Sequence, residues 1–252
     1  KVDVAVLEVG LGGRFDATNV AAPVAAAITT IDFDHERFLG HTIEAIAFEK
    51  AGVIKPGQRV VVGETKPEAV RVFAEACRER GADLVPAHEG VTTSVREEGD
   101  VLLLELTTPS GRYGPARLSL RGRHQVRNAV VATRLIEVLA DLGLGGGADA
   151  VQAALTRTRW PGRLDLRTDA RGRSVLCDAA HNPAGARVLA DYLVEFHPGR
   201  LPLVFGIMKD KDASGTLAPL VPLARPLILT RPPTERALAP DVLRQVARHA
   251  GA

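Results

Sequence analysis

Short apolar runs alternate along the chain with segments in which apolar residues recur every three or four positions. The runs Val2–Val9, Val24–Ile31 and Arg59–Gly63 are apolar on both faces and rich in β-branched residues, which is typical of buried parallel strands. The segments Thr42–Gly52 and Pro67–Arg80 have helical periodicity, and each is closed by a glycine, a common residue at the end of a helix. This alternation predicts a doubly wound, mostly parallel α/β sheet.

The middle of the chain has a different pattern. Three short runs separated by turn residues predict a small antiparallel insertion, with strands at Val91–Arg96, Val101–Leu106 and Ala116–Leu120. Two helices are expected after it, over His124–Leu142 and Ala148–Thr158.

The sequence Trp-Pro-Gly-Arg at 160–163 interrupts the pattern, after which the alternation resumes. Strands are expected at Ser174–Cys177, Leu201–Phe205 and Pro226–Thr230. Helices are expected at Pro183–Phe196, Ala213–Leu223 and Pro240–His249. We therefore predict two domains, 1–160 and 161–252, the second being a smaller α/β domain of plausible size.

Composition narrows the classes of protein. The 252 residues include 32 Lys+Arg and 30 Asp+Glu, a net charge of +2 that indicates no nucleic-acid partner. No apolar run has the length needed to span a bilayer, so no membrane partner is expected. Cys77 and Cys177 are too few for a disulfide framework, which favours a reducing cytoplasm. Because Lys1 opens a predicted strand, we also expect upstream coding sequence to be missing.

Polar side chains follow the first two predicted strands. Glu8 precedes a glycine-rich turn, and Asp32, Asp34 and His35 follow the second strand. Ligands of open α/β sheets bind at the carboxyl ends of the strands, and carboxylates and imidazoles suit divalent metals. Taken alone, Glu8 is better explained as a solvated residue of a tight turn, and His35 as a surface histidine.

One lysine shares a helix face with apolar residues. Ile43, Ile46, Ala47 and Lys50 fall at helical spacing on one side of the predicted helix. Such a lysine must reach solvent, pair with an acid or be chemically altered. Extension into solvent at the helix end, where a cation suits the helix dipole, explains the pattern about equally well.

The second domain repeats this arrangement. Asp178 lies at the carboxyl end of a predicted strand and Pro183 begins the next helix. The charged residues 208–212 are most simply a solvated loop. On the long helix before the boundary, Asn128 and Gln125 lie one turn apart, which fits either a contact with a nucleotide base or ordinary surface polarity.

Together these segments resemble the folylpolyglutamate synthase/dihydrofolate synthase family of the Mur ligase superfamily. The motifs occur in family order and cover nearly the whole chain. They are EVGLGGRFDATN (8–19), DFDHERFLGHTIEAIAFEKAGVIKPG (32–57), LRGRHQVRNA (120–129), WPGRLD (160–165), DAAHNP (178–183) and MKDKD (208–212).

The resemblance implies a Mur-ligase-type ATPase domain with an antiparallel insertion, followed by a smaller Rossmann-like domain. It implies an ATP-dependent amide ligase that adds L-glutamate to dihydropteroate or a reduced folate through an acyl phosphate. ATP and Mg²⁺, at two sites, would then be required, since the triphosphate charge must be neutralised. A monomer is the family expectation.

The resemblance also assigns chemical roles by motif position. Glu8 and His35 would be magnesium ligands. Lys50 would be the lysine that carbon dioxide converts to a carbamate, which would account for a cation on an apolar helix face. His181 would lie near the phosphates and act, with Lys50 and Asp178, in catalysis.

Binding roles follow from the same motifs. The expected ATP contacts are Asn128, Arg163 and Asp178. The expected pterin-side contacts are Phe15, Asp16 and Ala17.

One family element is absent from the sequence: the phosphate-binding G-K-[ST] loop. We therefore expect this polypeptide alone not to turn over ATP. A cell-wall Mur ligase and a non-catalytic nucleotide- or folate-binding relic are the alternatives. A dinucleotide-binding oxidoreductase fits less well, because Phe15 replaces the last glycine of G-x-G-x-x-G. The acceptor and the glutamate chain length stay open.

Overall fold

The structure, a computed structural model, describes residues 2–251, apart from the side chains of Glu36 and Arg37. Two compact units are present. The first comprises the residues up to Arg96 together with Leu103–Arg117 and Gln125–Arg157. The second comprises Glu97–Leu102, Leu118–His124 and the residues from Thr158 onwards.

A three-stranded parallel sheet forms the centre of the first unit, with its strands in the order β1-β2-β3. The strands are β1 (Ala25–Ile28), β2 (Arg59–Val62) and β3 (Asp83–Pro86). The helices are α1 (Glu36–Leu39), α2 (Ile43–Lys50) and α3 (Pro67–Arg80), with 3₁₀ turns at Ala17–Val20 and Ala51–Val53. Helix α2 starts after Thr42, whose hydroxyl accepts the Ala45 amide at 3.1 Å as an N-cap. Phe73, Ile46 and Val60 are fully buried in the core.

The strand predicted at Val2–Val9 is wrong. This segment is not paired in a sheet within residues 2–251, and the Val6 side chain is 93% exposed. The apolar pattern indicated a buried strand, but a strand also requires hydrogen bonds to a neighbour. Strand β3 was missed, because it has only four residues and ends at Pro86.

The predicted antiparallel insertion is present as β4 (Thr92–Glu98), β5 (Val101–Thr108) and β6 (Gly111–Arg117), in that order. Its central strand buries alternate residues, since Leu102, Leu104 and Leu106 are at most 1% exposed. Strand β6 begins earlier than predicted, because Thr108 pairs with Gly111 across a two-residue turn. Helices α4 (His124–Asp141) and α5 (Ala148–Arg157) follow.

The second unit has an antiparallel pair, β7 (Asp165–Thr168) with β8 (Ser174–Cys177), and a parallel pair, β9 (Leu201–Phe205) with β10 (Ala224–Leu229). Strand β7 was not predicted. Its helices are α6 (Pro183–Phe196), α7 (Ala213–Leu217) and α8 (Pro240–His249).

The helix predicted over Ala213–Leu223 is interrupted. Helix α7 ends at Leu217, and only a 3₁₀ turn at Val221–Leu223 follows. Pro219 and Pro222 account for the break, because proline lacks the N–H that an α-helix requires and clashes with the preceding turn.

The predicted fold class, a mixed α/β protein with a parallel sheet and a small antiparallel insertion, is confirmed. Within residues 2–251, no helix has the length and apolarity needed to cross a membrane.

The close approach of Gly52 to Arg14 predicts that a side chain at position 52 lowers stability. A Cβ atom at Gly52 would lie 2.3 Å from the Arg14 Cα, closer than backbone atoms can approach. We expect Gly52→Ala to lower the free energy of unfolding in urea by about 2 kcal/mol or more, because backbone must move. Gly147→Ala is the control, because nothing lies within 4 Å of that position, and its effect should stay within about 0.5 kcal/mol. Equal effects for the two variants would contradict the prediction.

Candidate functional site

The glycine-rich loop after Glu8 is held by one carboxylate. Asp16 Oδ2 accepts the amides of Gly10 and Leu11, each at 3.0 Å. Its Oδ1 accepts the Thr18 amide at 2.9 Å and the Thr18 hydroxyl at 2.6 Å. Chiefly because of the bonds from Thr18, the pKa of Asp16 falls from 3.8 to about 2. Asp16 therefore stays ionised and fixes the loop's shape.

The same loop is docked onto the end of α2. The Arg14 amide donates to the Glu49 carbonyl at 2.9 Å, and the Arg14 guanidinium lies 3.9 Å from the centre of the Phe48 ring. A Cβ at Gly13 would lie 3.0 Å from the Lys50 carbonyl oxygen. The loop and the residue that ends α2 are therefore neighbours.

Lys50 is half-buried at the end of α2, and Ile43, Ile46 and Ala47 on its helix face are buried. The shared apolar face predicted from the sequence is thus confirmed. Burial lowers the pKa of Lys50, and the negative charge of Asp34 opposes that effect. Lys50 and Asp34 are therefore close enough to interact electrostatically, although they lie on different segments.

The expected metal ligands differ in their surroundings. His35 adopts a left-handed φ of 52°, its amide donates to Asp34 Oδ1 at 2.8 Å, and its Nε2 lies 3.8 Å from that oxygen. Glu8 is exposed in the extended segment before the loop. No group of three or more His, Cys, Asp or Glu side chains in the described residues is arranged to hold a metal.

The chemistry of the donors still fits magnesium, which keeps several water ligands and takes one or two carboxylates from a protein. The structure places a carboxylate, Asp34, and an imidazole, His35, together in the segment that follows β1. It does not by itself bring Glu8 into that group.

The three residues expected to contact a pterin lie in the docked loop. The Phe15 side chain is 88% exposed, and Ala17 is exposed at the start of a 3₁₀ turn. Asp16 is occupied in holding the loop, as described above. Phe15 therefore offers the larger apolar surface to a ligand, beside the exposed methyl group of Ala17.

In the second unit, one carboxylate again joins two loops. Asp178 Oδ2 accepts the Leu164 amide and Oδ1 accepts the Ala180 amide, both at 2.8 Å. The Ala179 amide donates to the Gly162 carbonyl at 2.8 Å. Leu164 has a positive φ of 44°, a conformation that surrounding structure must maintain. The loops that carry Arg163 and Asp178 are therefore held together by hydrogen bonds as one ordered unit.

His181 extends from the same loop, exposed, with its Nδ1 3.0 Å from the Ala179 carbonyl oxygen. A carbonyl oxygen only accepts, so Nδ1 carries a proton, and Nε2 is the nitrogen that accepts in the neutral ring. Asn182 next to it caps helix α6 by accepting the Gly185 amide at 2.8 Å.

His124 joins this group, although sequence reasoning missed it. Burial lowers the pKa of His124. The negative charge of Asp178 raises that pKa in part, and the positive charge of Arg163 lowers it further. A Cβ at Gly122 would lie 2.7 Å from the His124 ring and 2.8 Å from Leu164. The sequence signal was available, since His124 stands within the motif LRGRHQVRNA, but only the fold brings it to the Asp178 loop.

Asn128 lies on α4 in the first unit, exposed, and its side-chain amide donates to Gln125 Oε1 at 2.9 Å. The predicted one-turn spacing of the two amides is confirmed. Its role as an ATP contact stays a prediction, as do the roles assigned to the other site residues.

Comparison with known proteins decides the family. A family model of the Mur ligase middle domain matches residues 1–136, more than half of the chain, and a model of the Mur ligase glutamate ligase domain matches residues 162–252. The chain belongs to the Mur ligase family.

Its similar relatives within that family have folate-related names. A dihydrofolate synthase/folylpolyglutamate synthase of Mycobacterium tuberculosis is 39% identical, over 96% of this chain and 51% of the relative. The Bacillus subtilis protein of the same name is 35% identical, over 89% of this chain and 52% of the relative. The chain therefore spans about half the length of these curated relatives.

A solved structure agrees with these sequence matches. Mycobacterium tuberculosis folylpolyglutamate synthase, complexed with ADP, has a TM-score of 0.88 and 36% identity, covering 99% of this chain and 56% of that one. The resemblance to the folylpolyglutamate synthase/dihydrofolate synthase family is thus confirmed.

Asp16 should make the free energy of unfolding depend on pH in the acidic range. Because folding lowers its pKa from 3.8 to about 2, its ionised form stabilises the fold fully above the unfolded pKa, and this contribution is lost as the pH falls towards 2. We expect Asp16→Asn to be less stable than the wild type at neutral pH, with a difference that shrinks between pH 4 and pH 2. Urea unfolding across that range measures it. A difference that does not change with pH would contradict the prediction.

Asp178 should stabilise the second unit through its two backbone bonds. Asp178→Asn leaves one oxygen where two accept, so we expect a loss of about 1–3 kcal/mol in urea unfolding. Asp191→Asn, at an exposed carboxylate of α6, is the matched control and should change stability by less than about 0.5 kcal/mol. Equal behaviour of the two variants would show that the loop pair does not depend on Asp178.

Proposed function

We propose that this chain acts in the ATP-dependent ligation of L-glutamate to dihydropteroate or a reduced folate. The observation that carries the proposal is the half-buried Lys50 beside Asp34 and the docked glycine loop. A half-buried lysine whose pKa is lowered by burial, an effect opposed by a neighbouring carboxylate, is typical of a functional site. The names of the similar relatives support the same reaction.

The reaction proceeds in two steps. The pterin-side carboxylate attacks the γ-phosphorus of ATP, forming an acyl phosphate and releasing ADP. The glutamate amine then attacks the acyl carbon, inorganic phosphate leaves, and the nitrogen gives up a proton. Both steps depend on positioning and on neutralising negative charge.

The second unit contributes to the nucleotide site. The Arg163 guanidinium supplies positive charge, Asp178 fixes the loop that carries it, and the Nε2 of His181 is directed away from its own carbonyl partner. By motif position, Asn128 is a further proposed ATP contact. The ADP complex of the solved relative supports an adenine nucleotide as a ligand.

Magnesium would be held by His35 and Glu8, with further ligands from water and phosphate, at two sites. When bound, it supplies positive charge that offsets the charge of the phosphates. The Asp34 carboxylate beside the His35 imidazole supports the His35 part of this assignment, whereas Glu8 is assigned by motif position.

Lys50 would carry a carbamate. Its neutral amine attacks the carbon of carbon dioxide, a nitrogen–carbon bond forms, and one proton leaves. Burial lowers the pKa of Lys50 and so favours the neutral amine that this step requires. The product is an anion, which suits a magnesium site better than an ammonium group does.

On the acceptor side, Phe15 offers an exposed ring to the pterin, while Asp16 and Ala17 shape the loop below it. The division into domains 1–160 and 161–252, a monomeric state and a cytoplasmic location complete the proposal. The free thiols of Cys77 and Cys177 support the last of these.

Phosphate release tests the reaction. The full-length product of the gene that encodes this chain would be given ATP, magnesium and L-glutamate, with dihydropteroate and tetrahydrofolate in separate reactions. The proposal predicts release that requires both glutamate and one of the two pterins. Release that instead requires a cell-wall precursor, or none from folded protein that binds ATP, would contradict it.

The carbamate has a separate test on the chain itself. With ¹³C-bicarbonate, we expect a carbamate resonance in the ¹³C NMR spectrum that is lost in Lys50→Arg, because guanidinium does not react with carbon dioxide. Lys55→Arg is the matched control, since Lys55 lies nearby and donates to the Asn19 carbonyl at 2.9 Å. A resonance that survives in Lys50→Arg would place the carbamate elsewhere.

A further inference from the structure

Two side chains extend the β1–β2 ladder beyond its last backbone pair. The Gly63 amide donates to the Ile28 carbonyl at 2.8 Å, and regular pairing ends there. Beyond that point, the Ile31 amide donates to Glu64 Oε2 at 2.5 Å, and the Lys66 ammonium donates to the Ile31 carbonyl. Both backbone groups of Ile31 are thus bound by side chains that follow β2.

Glu64 is built to hold this position. It is 5% exposed, and its Oε1 also accepts the amides of Thr65 at 2.7 Å and Lys66 at 2.9 Å. Burial raises the pKa of Glu64, but the three backbone donors outweigh it, and the pKa lies below its ordinary value. The Lys66 ammonium lies 3.6 Å from Oε2. The carboxylate is therefore ionised and bonded on both oxygens.

The segment that Glu64 holds leads directly to the candidate site. Ile31 is 1% exposed, and Asp34 and His35 follow it within four residues. Asp34 interacts with Lys50 and accepts the His35 amide. Where Ile31 is fixed therefore determines where the carboxylate and the imidazole can lie.

We propose that Glu64, assisted by Lys66, is a positioning residue that fixes residues 31–35 and so places Asp34 and His35 in the segment that follows β1. The claim that Glu64 and Lys66 fix Ile31 depends only on the hydrogen bonds described above. Its consequence for a divalent cation rests on the proposed function, which places His35 at a magnesium site.

The geometry requires a carboxylate. Two oxygens accept three backbone amides, whereas a glutamine offers one oxygen and places an NH₂ group against a donor. In Glu64→Gln, one buried amide would lose its partner, and the Lys66 ammonium would lose its counter-charge. Residues 31–35 should then become less ordered even where the domain remains folded.

A matched pair of variants tests the proposal on the intact chain. Glu137→Gln is the control, because Glu137 is 7% exposed and accepts hydrogen bonds from Thr108, Tyr113 and Arg134. Both variants remove a buried, fully bonded carboxylate from the first unit. Amide hydrogen exchange and Mn²⁺ binding, followed by electron paramagnetic resonance, are measured for each.

We expect Glu64→Gln to accelerate exchange at the Ile31 amide and to weaken Mn²⁺ binding, each by about tenfold or more. Glu137→Gln should leave both quantities near their wild-type values. Lys66→Met, which retains the carboxylate, should give smaller effects in the same direction and serves if Glu64→Gln does not fold.

The possible outcomes distinguish a failure of the role of Glu64 in fixing Ile31 from a failure of the proposed function. Unchanged exchange at Ile31 in both Glu64→Gln and Lys66→Met, or equal acceleration in Glu137→Gln, would overturn the proposal. If the wild type binds no Mn²⁺, the metal role of His35 fails, and exchange at Ile31 alone decides whether Glu64 fixes the segment.

Discussion

Backbone amides outside helices and strands need hydrogen-bond partners, and Asp16, Glu64 and Asp178 provide them in the loops that carry the candidate site residues. Asp16 binds three amides of the glycine loop and the turn after it, Glu64 binds three in the segments after β1 and β2, and Asp178 binds two in the second unit. Each bond to an ionised group is stronger than one between neutral groups. The loops that carry the candidate site residues are consequently shaped by charge rather than by regular secondary structure.

These hydrogen bonds to carboxylates explain how loops without regular secondary structure can still be ordered. Gly13 and Gly52 allow the first loop to approach α2 more closely than any side chain would permit. The Asp178 loop is closed in a similar way, because Gly122 leaves room for the His124 and Leu164 side chains. In each unit, an ordered loop places a carboxylate near a group whose pKa burial lowers. In the first unit Asp34 lies near Lys50, and in the second Asp178 lies near His124.

Periodicity predicted much of the fold, because local patterns decide where helices lie. Helices α3, α6 and α8 have the predicted bounds, and the buried face of α2 was identified from four residues. The strand expected at Val2–Val9 failed because pairing depends on a neighbour that a local pattern does not contain. The site was predicted as a set of motif positions, whereas its contacts were not. The approach of Asp34 to Lys50 and of His124 to Asp178 depends on the tertiary fold, and Glu64 was missed because the predicted strand ended one residue before it.

The carboxylates should hold these loops as firmly as backbone hydrogen bonds between strands hold a sheet. Native-state hydrogen exchange of the wild-type chain tests it most directly, read at the amides of Ile31, Leu164 and Ala180, none of which lies in a helix or strand. We expect these amides to be protected to a degree comparable with the Val61 amide in the centre of the β2 strand. Exchange of all three at the rate of an unstructured peptide would contradict it.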